Sequence, residues 1–309
     1  MVTRLSEFTD FTQAMNSAEH SLPYQFKSIF NADKGSSRRL SKKKFKLLLS
    51  FDGLLAKILR EGEKVYYVGT GVESTFFEQQ FLGWAMHYLN RRAFIFTTQR
   101  ILLIQFKGKY RPWDLLAQIS YMNISKVKQT IFANLKLFYT NGKSSLFIGM
   151  PKYDRKNFSM IAGIIRDKMA NASTASGGIE NLCPHCFAMV SAFPKQCPQC
   201  AKPFKSSKKA GLLSLVFPGL GDFYLGHTGI AMMEIIAAAL VWVSFFMPDK
   251  SSKDPVTAAS MAVGVFILFV IMHGIDSMVT SRVAKKGIYT RVNQRINFPA
   301  KHRSHLIRS

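Results

Sequence analysis

The sequence predicts a multidomain α+β membrane protein: a small antiparallel β barrel or sheet capped by a helix, a four-cysteine module, and a carboxy-terminal helical transmembrane hairpin. Three observations predict it. Short aromatic and β-branched runs fill residues 65–150, all four cysteines fall between positions 183 and 200, and two long apolar stretches crowd the last third. A net charge of +24 over 309 residues adds a polyanionic partner, anionic lipid or nucleic acid, and composition leaves both open.

Residues 1–37 are polar and mixed, and are expected to be loosely ordered. The opening MVTRLSEFTDFTQ contains acids and no apolar core, so no signal peptide is expected and the N-terminal part is placed in the cytosol. Residues 38–62 read as a basic amphipathic helix. Arg38, Arg39, Lys42, Lys43, Lys44 and Lys46 lead into a stripe of Leu48, Phe51, Leu55 and Ile58 at helical spacing. Such a helix can lie on an anionic membrane, where each nearby Lys or Arg contributes about 1 kcal/mol. It can also pack its stripe on the neighbouring domain, and the interruption by Asp52 and Gly53 favours this.

Residues 63–170 form the next unit. KVYYVGTGVE, RRAFIFTTQ, RILLIQFKG, LLAQISYMNI and ANLKLFYTNGKSSLFIGM read as strands, the last holding a hairpin turn at Asn141-Gly142. A closing helix follows, with Phe158, Ile161, Ile164 and Ile165 on one face. Between the strands, residues 74–92 place Phe77, Phe81, Trp84, Ala85 and Tyr88 at helical spacing. This segment reads as a core helix or long hairpin, or as a helix dipping into a membrane surface. The stretch AFIFTTQRILLI, with Thr97, Gln99 and Arg100, resembles the hairpin of bacterial pleckstrin-homology-like domains, and ILREGEKV fits the way such domains begin. Thr98 stands where that family carries Asn. The resemblance implies binding rather than catalysis, with Arg100 a structural turn residue.

A Ser/Gly-rich linker, 171–181, leads to the cysteines. Cys183, Cys186, Cys197 and Cys200 form two Cys-Pro-x-Cys pairs, each able to point two thiolates at one ion. The spacing of residues 182–204 resembles zinc ribbons, which implies structural Zn²⁺; iron is the other candidate. A CPHC redox site needs a strand-to-helix turn in a thioredoxin-like unit, which the surroundings of Cys183 lack, and would leave the second pair unexplained. His185 is a weak further ligand. So short a module buries no core of its own, and is expected as a metal-folded bead on a flexible string.

Residues 208–282 read as the membrane unit, with spans at about 228–247 and 256–280, each near the twenty residues a bilayer requires. Lys205, Lys208 and Lys209 precede the first span. Arg282, Lys285 and Lys286 follow the second and begin a basic cytosolic tail, 283–309. The joining loop is balanced, so the positive-inside rule places both ends in the cytosol. GLLSLVFPGLGDFYLGH is too short and broken for a third span, and is expected to enter the membrane face and turn at Pro218-Gly219. Gly221, Phe223, Tyr224, Leu225 and Gly226 resemble the signature of the two-transmembrane-helix (TM-two) domain family, although Asp222 stands where that family usually has a base. Asp276 also fits its last helix. Glu234 and Asp276 lie within the spans, where carboxylates seek partners; His227, His273 and Lys208 are candidates for Glu234.

No catalytic constellation is visible, so a non-enzymatic protein is expected. The leading reading is an inner-membrane-anchored binding or scaffold protein of bacterial type. Its cytosolic part would engage anionic lipid or a protein partner. A membrane-tethered nucleic-acid binder and a small homo-oligomeric channel are the alternatives.

Overall fold

The computed structural model describes residues 23–30, 38–75, 87–108, 110–130, 134–150, 177–190, 193–246 and 255–290, with Gly163, Ile165 and Asp167. The aromatic segment at 76–86, most of the closing helix, the linker at 171–176, the inter-span loop and the tail beyond Thr290 lie outside the described residues.

Two helices open the chain, α1 (Phe26–Phe30) and α2 (Arg38–Ile58). Seven strands follow: β1 (Val65–Ser74), β2 (Arg91–Thr97), β3 (Arg100–Lys107), β4 (Arg111–Ser120), β5 (Ile124–Gln129), β6 (Leu135–Tyr139) and β7 (Ser144–Ile148). Strands β8 (Glu180–Leu182) and β9 (Met189–Val190) belong to the cysteine segment. Helices α3 (Ser207–Val216), α4 (Leu220–Leu225), α5 (Thr228–Phe246) and α6 (Pro255–Ala284) complete the mixed α+β fold.

Among the described residues, nine strands join one sheet in the order β5-β6-β7-β1-β2-β3-β4-β8-β9, and every named pair is antiparallel. The order is linear, with β5 and β9 as its edges. Alternate residues on β2 and β3 enter two different cores. Ala93, Ile95, Leu102 and Ile104 face a cluster completed by α1 and α2, while Phe94, Phe96, Ile101 and Leu103 face one completed by β6, β7 and Ile165. Burial on both faces explains why RAFIF and RILLI are continuous apolar runs rather than alternating ones.

The basic helix is part of this core. Leu48, Phe51, Leu55 and Ile58 are all at most 5% exposed against the sheet, so their stripe is committed to packing rather than to a membrane surface. Asp52 accepts a hydrogen bond from the Tyr24 hydroxyl at 2.6 Å, tying down the segment before α1. Lys44, expected in the surface set, is buried. Its ammonium donates to the Ile29 carbonyl at 3.3 Å and stands 3.8 Å over the Tyr67 ring.

Two sequence expectations change form. LLAQISYMNI was read as one strand, but β4 ends at Ser120 and a single 3-10 turn, Tyr121–Asn123, redirects the chain into β5. The buried Asn123 amide donates there to the Gly178 carbonyl and to Glu180. The second change concerns the cysteine segment, which is no separate bead. β8 pairs with β4 through Leu116↔Leu182, Ala117↔Asn181 and Gln118↔Glu180. The glycines at its start serve close approach rather than flexibility: a Cβ on Gly177 would overlap the Asn123 side chain, and the Gly177 amide donates to Thr140 Oγ1 at 2.8 Å.

Glu63 and Arg100 pin the base of the sheet. Arg100 grips both Glu63 carboxylate oxygens at 3.0 Å, donates to the Ile58 carbonyl at 2.7 Å and reaches Gln118. Thr97 Oγ1 donates to Glu63 at 2.5 Å. Burial alone would raise the Glu63 pKa, but these donors and the Arg60 amide outweigh it and hold it below the usual carboxylate value.

Candidate metal centre and a polar seam between helices

The two cysteine pairs are local copies of one turn. Phe187 N donates to the Cys183 carbonyl at 2.8 Å and Cys183 N to Ala188 O at 2.9 Å. Fourteen residues on, Ala201 N donates to the Cys197 carbonyl at 3.0 Å and Cys197 N to Lys202 O at 2.9 Å. The residue after each second cysteine, Phe187 or Ala201, takes a left-handed conformation with φ of 59° or 54°. This shared geometry turns four thiols toward one point. The sulfurs of Cys183 and Cys200 are 3.8 Å apart, those of Cys186 and Cys197 3.6 Å, and all four lie within 4.8 Å of one another. Such a cluster can hold a metal ion, and His185 does not belong to it. Burial pushes the Cys183 and Cys186 thiols up. At Cys197 burial also raises the pKa, but the Cys200 and Gln199 amides outweigh it and bring the thiol to about 7.

The centre is joined at both ends. Leu182 continues into the sheet, while Phe204 bridges Thr290 beyond α6 and Lys205 N donates to Tyr289 O at 2.8 Å. Cys183, Cys197, Val190 and Phe204 pack with Ile288. Leu115 of β4 shares a buried cluster with Ala210, Leu225, Ala284 and Tyr289 of the helical part.

The second constellation lies among the helices. α4 is framed by Gly219 and Gly226, with left-handed φ of 86° and 94° that L side chains avoid. Gly221 is set by space, because a Cβ there would overlap the Ala210 carbonyl oxygen and Ser214 Oγ. The signature segment is thus a six-residue helix wedged against α3 and α6. Asp222, Leu225 and Gly221 face inward, Tyr224 is half-buried and Phe223 is exposed. Asp222 Oδ1 stands 2.7 Å from His227 Nδ1, and its Oδ2 accepts from Thr280 at 2.9 Å; Ser214 in turn donates to Thr280. Asp276 accepts from the Gly219 amide at 3.1 Å, and His273 Nδ1 donates to the Leu215 carbonyl at 2.8 Å.

The histidines expected beside Glu234 therefore have other partners. Glu234 instead gathers with Asp222 and Asp276, one carboxylate oxygen of each lying within 4.8 Å of the others. The His227–Asp222–Thr280–Ser214 chain escaped sequence reading. A trace of the polar seam was there: His273, Ser277 and Thr280, which bond Leu215, Gly211 and Asp222, recur at helical spacing inside an apolar helix.

Among the described residues, one helix segment, Val263–Ala284, is long and apolar enough to cross a membrane; the apolar part of α5, Thr228–Val243, is shorter. The basic residues divide by place. Lys43 and Lys46 are exposed on α2, Lys42 is half-buried, and Arg38 and Arg39 form its first turn. Lys208, Lys209, Arg282 and Lys285 are exposed, while Lys205 and Lys286 are half-buried. These last six gather where α3 begins and α6 ends.

Comparison with protein-family models, with curated proteins and with solved structures finds no match to this chain.

Proposed function

We propose that the chain is a non-enzymatic scaffold anchored in a bacterial inner membrane. The α5–α6 hairpin would be its anchor, and the sheet, in the role of a pleckstrin-homology-like binding module, would be held at the cytosolic face. The observation that carries this is the inverted packing of the helices. Small and polar residues, among them Gly211, Ser214, Asp222, Ser277 and Thr280, meet between helices, while Phe266, Ile267, Val270, Ile271, Leu240 and Val243 are each at least half exposed. Water favours the opposite arrangement, and a bilayer favours this one. The six basic residues at the α3–α6 base then mark the cytosolic boundary.

The four sulfurs suit Zn²⁺. Tetrahedral bonds of about 2.3 Å place sulfurs about 3.8 Å apart, close to the 3.6 and 3.8 Å separations of the two nearest pairs. Cys183, Cys186, Cys197 and Cys200 would hold the ion, which supplies a cross-link rather than chemistry. One metal per chain by elemental analysis, lost together with ordered structure in Cys183→Ser, is the expected result.

Binding is tested with the purified chain lacking 228–284. Salt-sensitive sedimentation with anionic vesicles and weak retention of DNA or RNA support the scaffold; the reverse supports a tethered nucleic-acid binder. The gathered Asp222, Glu234 and Asp276 favour one second reading, a cation path in an oligomer. Cation flux abolished by Glu234→Gln would establish it.

A further inference from the structure

The register of α3 and α4 against α6 places them at a definite depth. The base of α3 lies beside the end of α6, with Lys205 N donating to Tyr289 O. One turn on, Gly211 O accepts from Ser277; further along, Leu215 O accepts from His273 and Phe217 meets the His273 ring. The chain turns at Phe217–Gly219, beside Asp276. α4 then returns, with Asp222 on Thr280 and Leu225 packed with Ala284 and Tyr289. From Arg282 to His273 is nine residues, about 14 Å along a helix, which is near half of a ~30 Å hydrocarbon core.

The outer face of this hairpin is apolar. Ala210, Gly211 and Ser214 are buried against α6, while Leu212, Leu215, Val216 and Phe223 are 64%, 50%, 73% and 56% exposed. Leu212, Leu215 and Val216 share one helical face, which runs level with the exposed Ile275 and Met278 of α6. Lys208 and Lys209, both exposed, occupy the first turn of α3.

We propose that α3 and α4 form a re-entrant hairpin. It enters the inner leaflet from the cytosolic face, exposes Leu212, Leu215, Val216 and Phe223 to lipid acyl chains, and sets Lys208 and Lys209 among anionic headgroups. The proposal rests on the membrane reading above. The hairpin adds no crossing, so both ends of the unit stay on one side. It also carries the Asp222 carboxylate below the surface with its partners already attached, which lowers the cost of placing it there.

The test reconstitutes the full chain in vesicles of phosphatidylcholine and phosphatidylglycerol, with or without mid-chain bromine on the acyl tails. Tryptophan is added singly as V216W or L212W on the hairpin and as V270W on α6, each read as a difference from the parent chain. Brominated tails are expected to quench the added V216W and L212W emission at least twofold, as they quench V270W. Quenching of V270W without either hairpin variant, as when a partner protein or second copy covers that face, overturns the hairpin and leaves the span intact. Quenching of none overturns the membrane reading itself.

Discussion

Phe94 and Val270 are both large apolar residues in the middle of regular elements, yet Phe94 is wholly buried and Val270 is 53% exposed. The same inversion runs through their surroundings. In the sheet unit the interior is aromatic: Phe94 meets Phe147 edge-on at 4.7 Å and Phe51 meets Phe106 at 6.3 Å, and the charges it admits are partnered, as in the bidentate Glu63–Arg100 pair. In the helical unit the interior is small and polar, and the bulk lies outside. The two units are therefore packed in opposite senses, as the membrane reading proposed above requires. Burial of apolar surface stabilises the first unit, and close backbone approach with buried hydrogen bonds specifies the second.

The contrast can be broken most severely from the sheet side. Phe51→Ala empties a fully buried aromatic site and is expected to cost about 3–5 kcal/mol in denaturant unfolding, leaving the helical unit's resistance to proteolysis unchanged. Glu63→Gln leaves Arg100 buried beside half a partner and is expected to cost about 3–5 kcal/mol at neutral pH. Its pH dependence sharpens the point. Because the folded Glu63 pKa is lowered, its contribution is complete above the ordinary carboxylate value and disappears as pH falls through the depressed one. Unfolding free energies of parent and variant should converge in acid.

On the helical side the sensitive residue is the smallest. Gly221→Ala forces α4 off α3 and is expected to cost about 1–3 kcal/mol in thermal unfolding in detergent, although it adds apolar surface. Least affected is Val270→Ser, expected to shift that transition by less than about 0.5 kcal/mol, since the side chain packs on nothing that detergent cannot replace.

The legible parts were those governed by local chemistry. Asn141-Gly142 did form the turn between β6 and β7, with Gly142 at φ 78°, and the paired Cys-Pro-x-Cys spacing did bring four sulfurs together. The stripe on α2 named its own buried face. Long-range pairing was not legible. Nothing local to Val72 announces Ile148 as its partner, and a Ser/Gly-rich run gives no sign that Gly177 fits under Asn123. Asp222 reads as an oddity in sequence, because its partner Thr280, which also accepts from Ser214, comes from a distant helix that only folding brings beside it.

An alkaline carbonate wash of membranes holding the full-length chain addresses the inverted helices most simply. Retention in the pellet, with release only by detergent, is the outcome expected of side chains that face hydrocarbon. Quantitative release into the carbonate supernatant would mean that those faces meet water or another protein, and the account would be wrong.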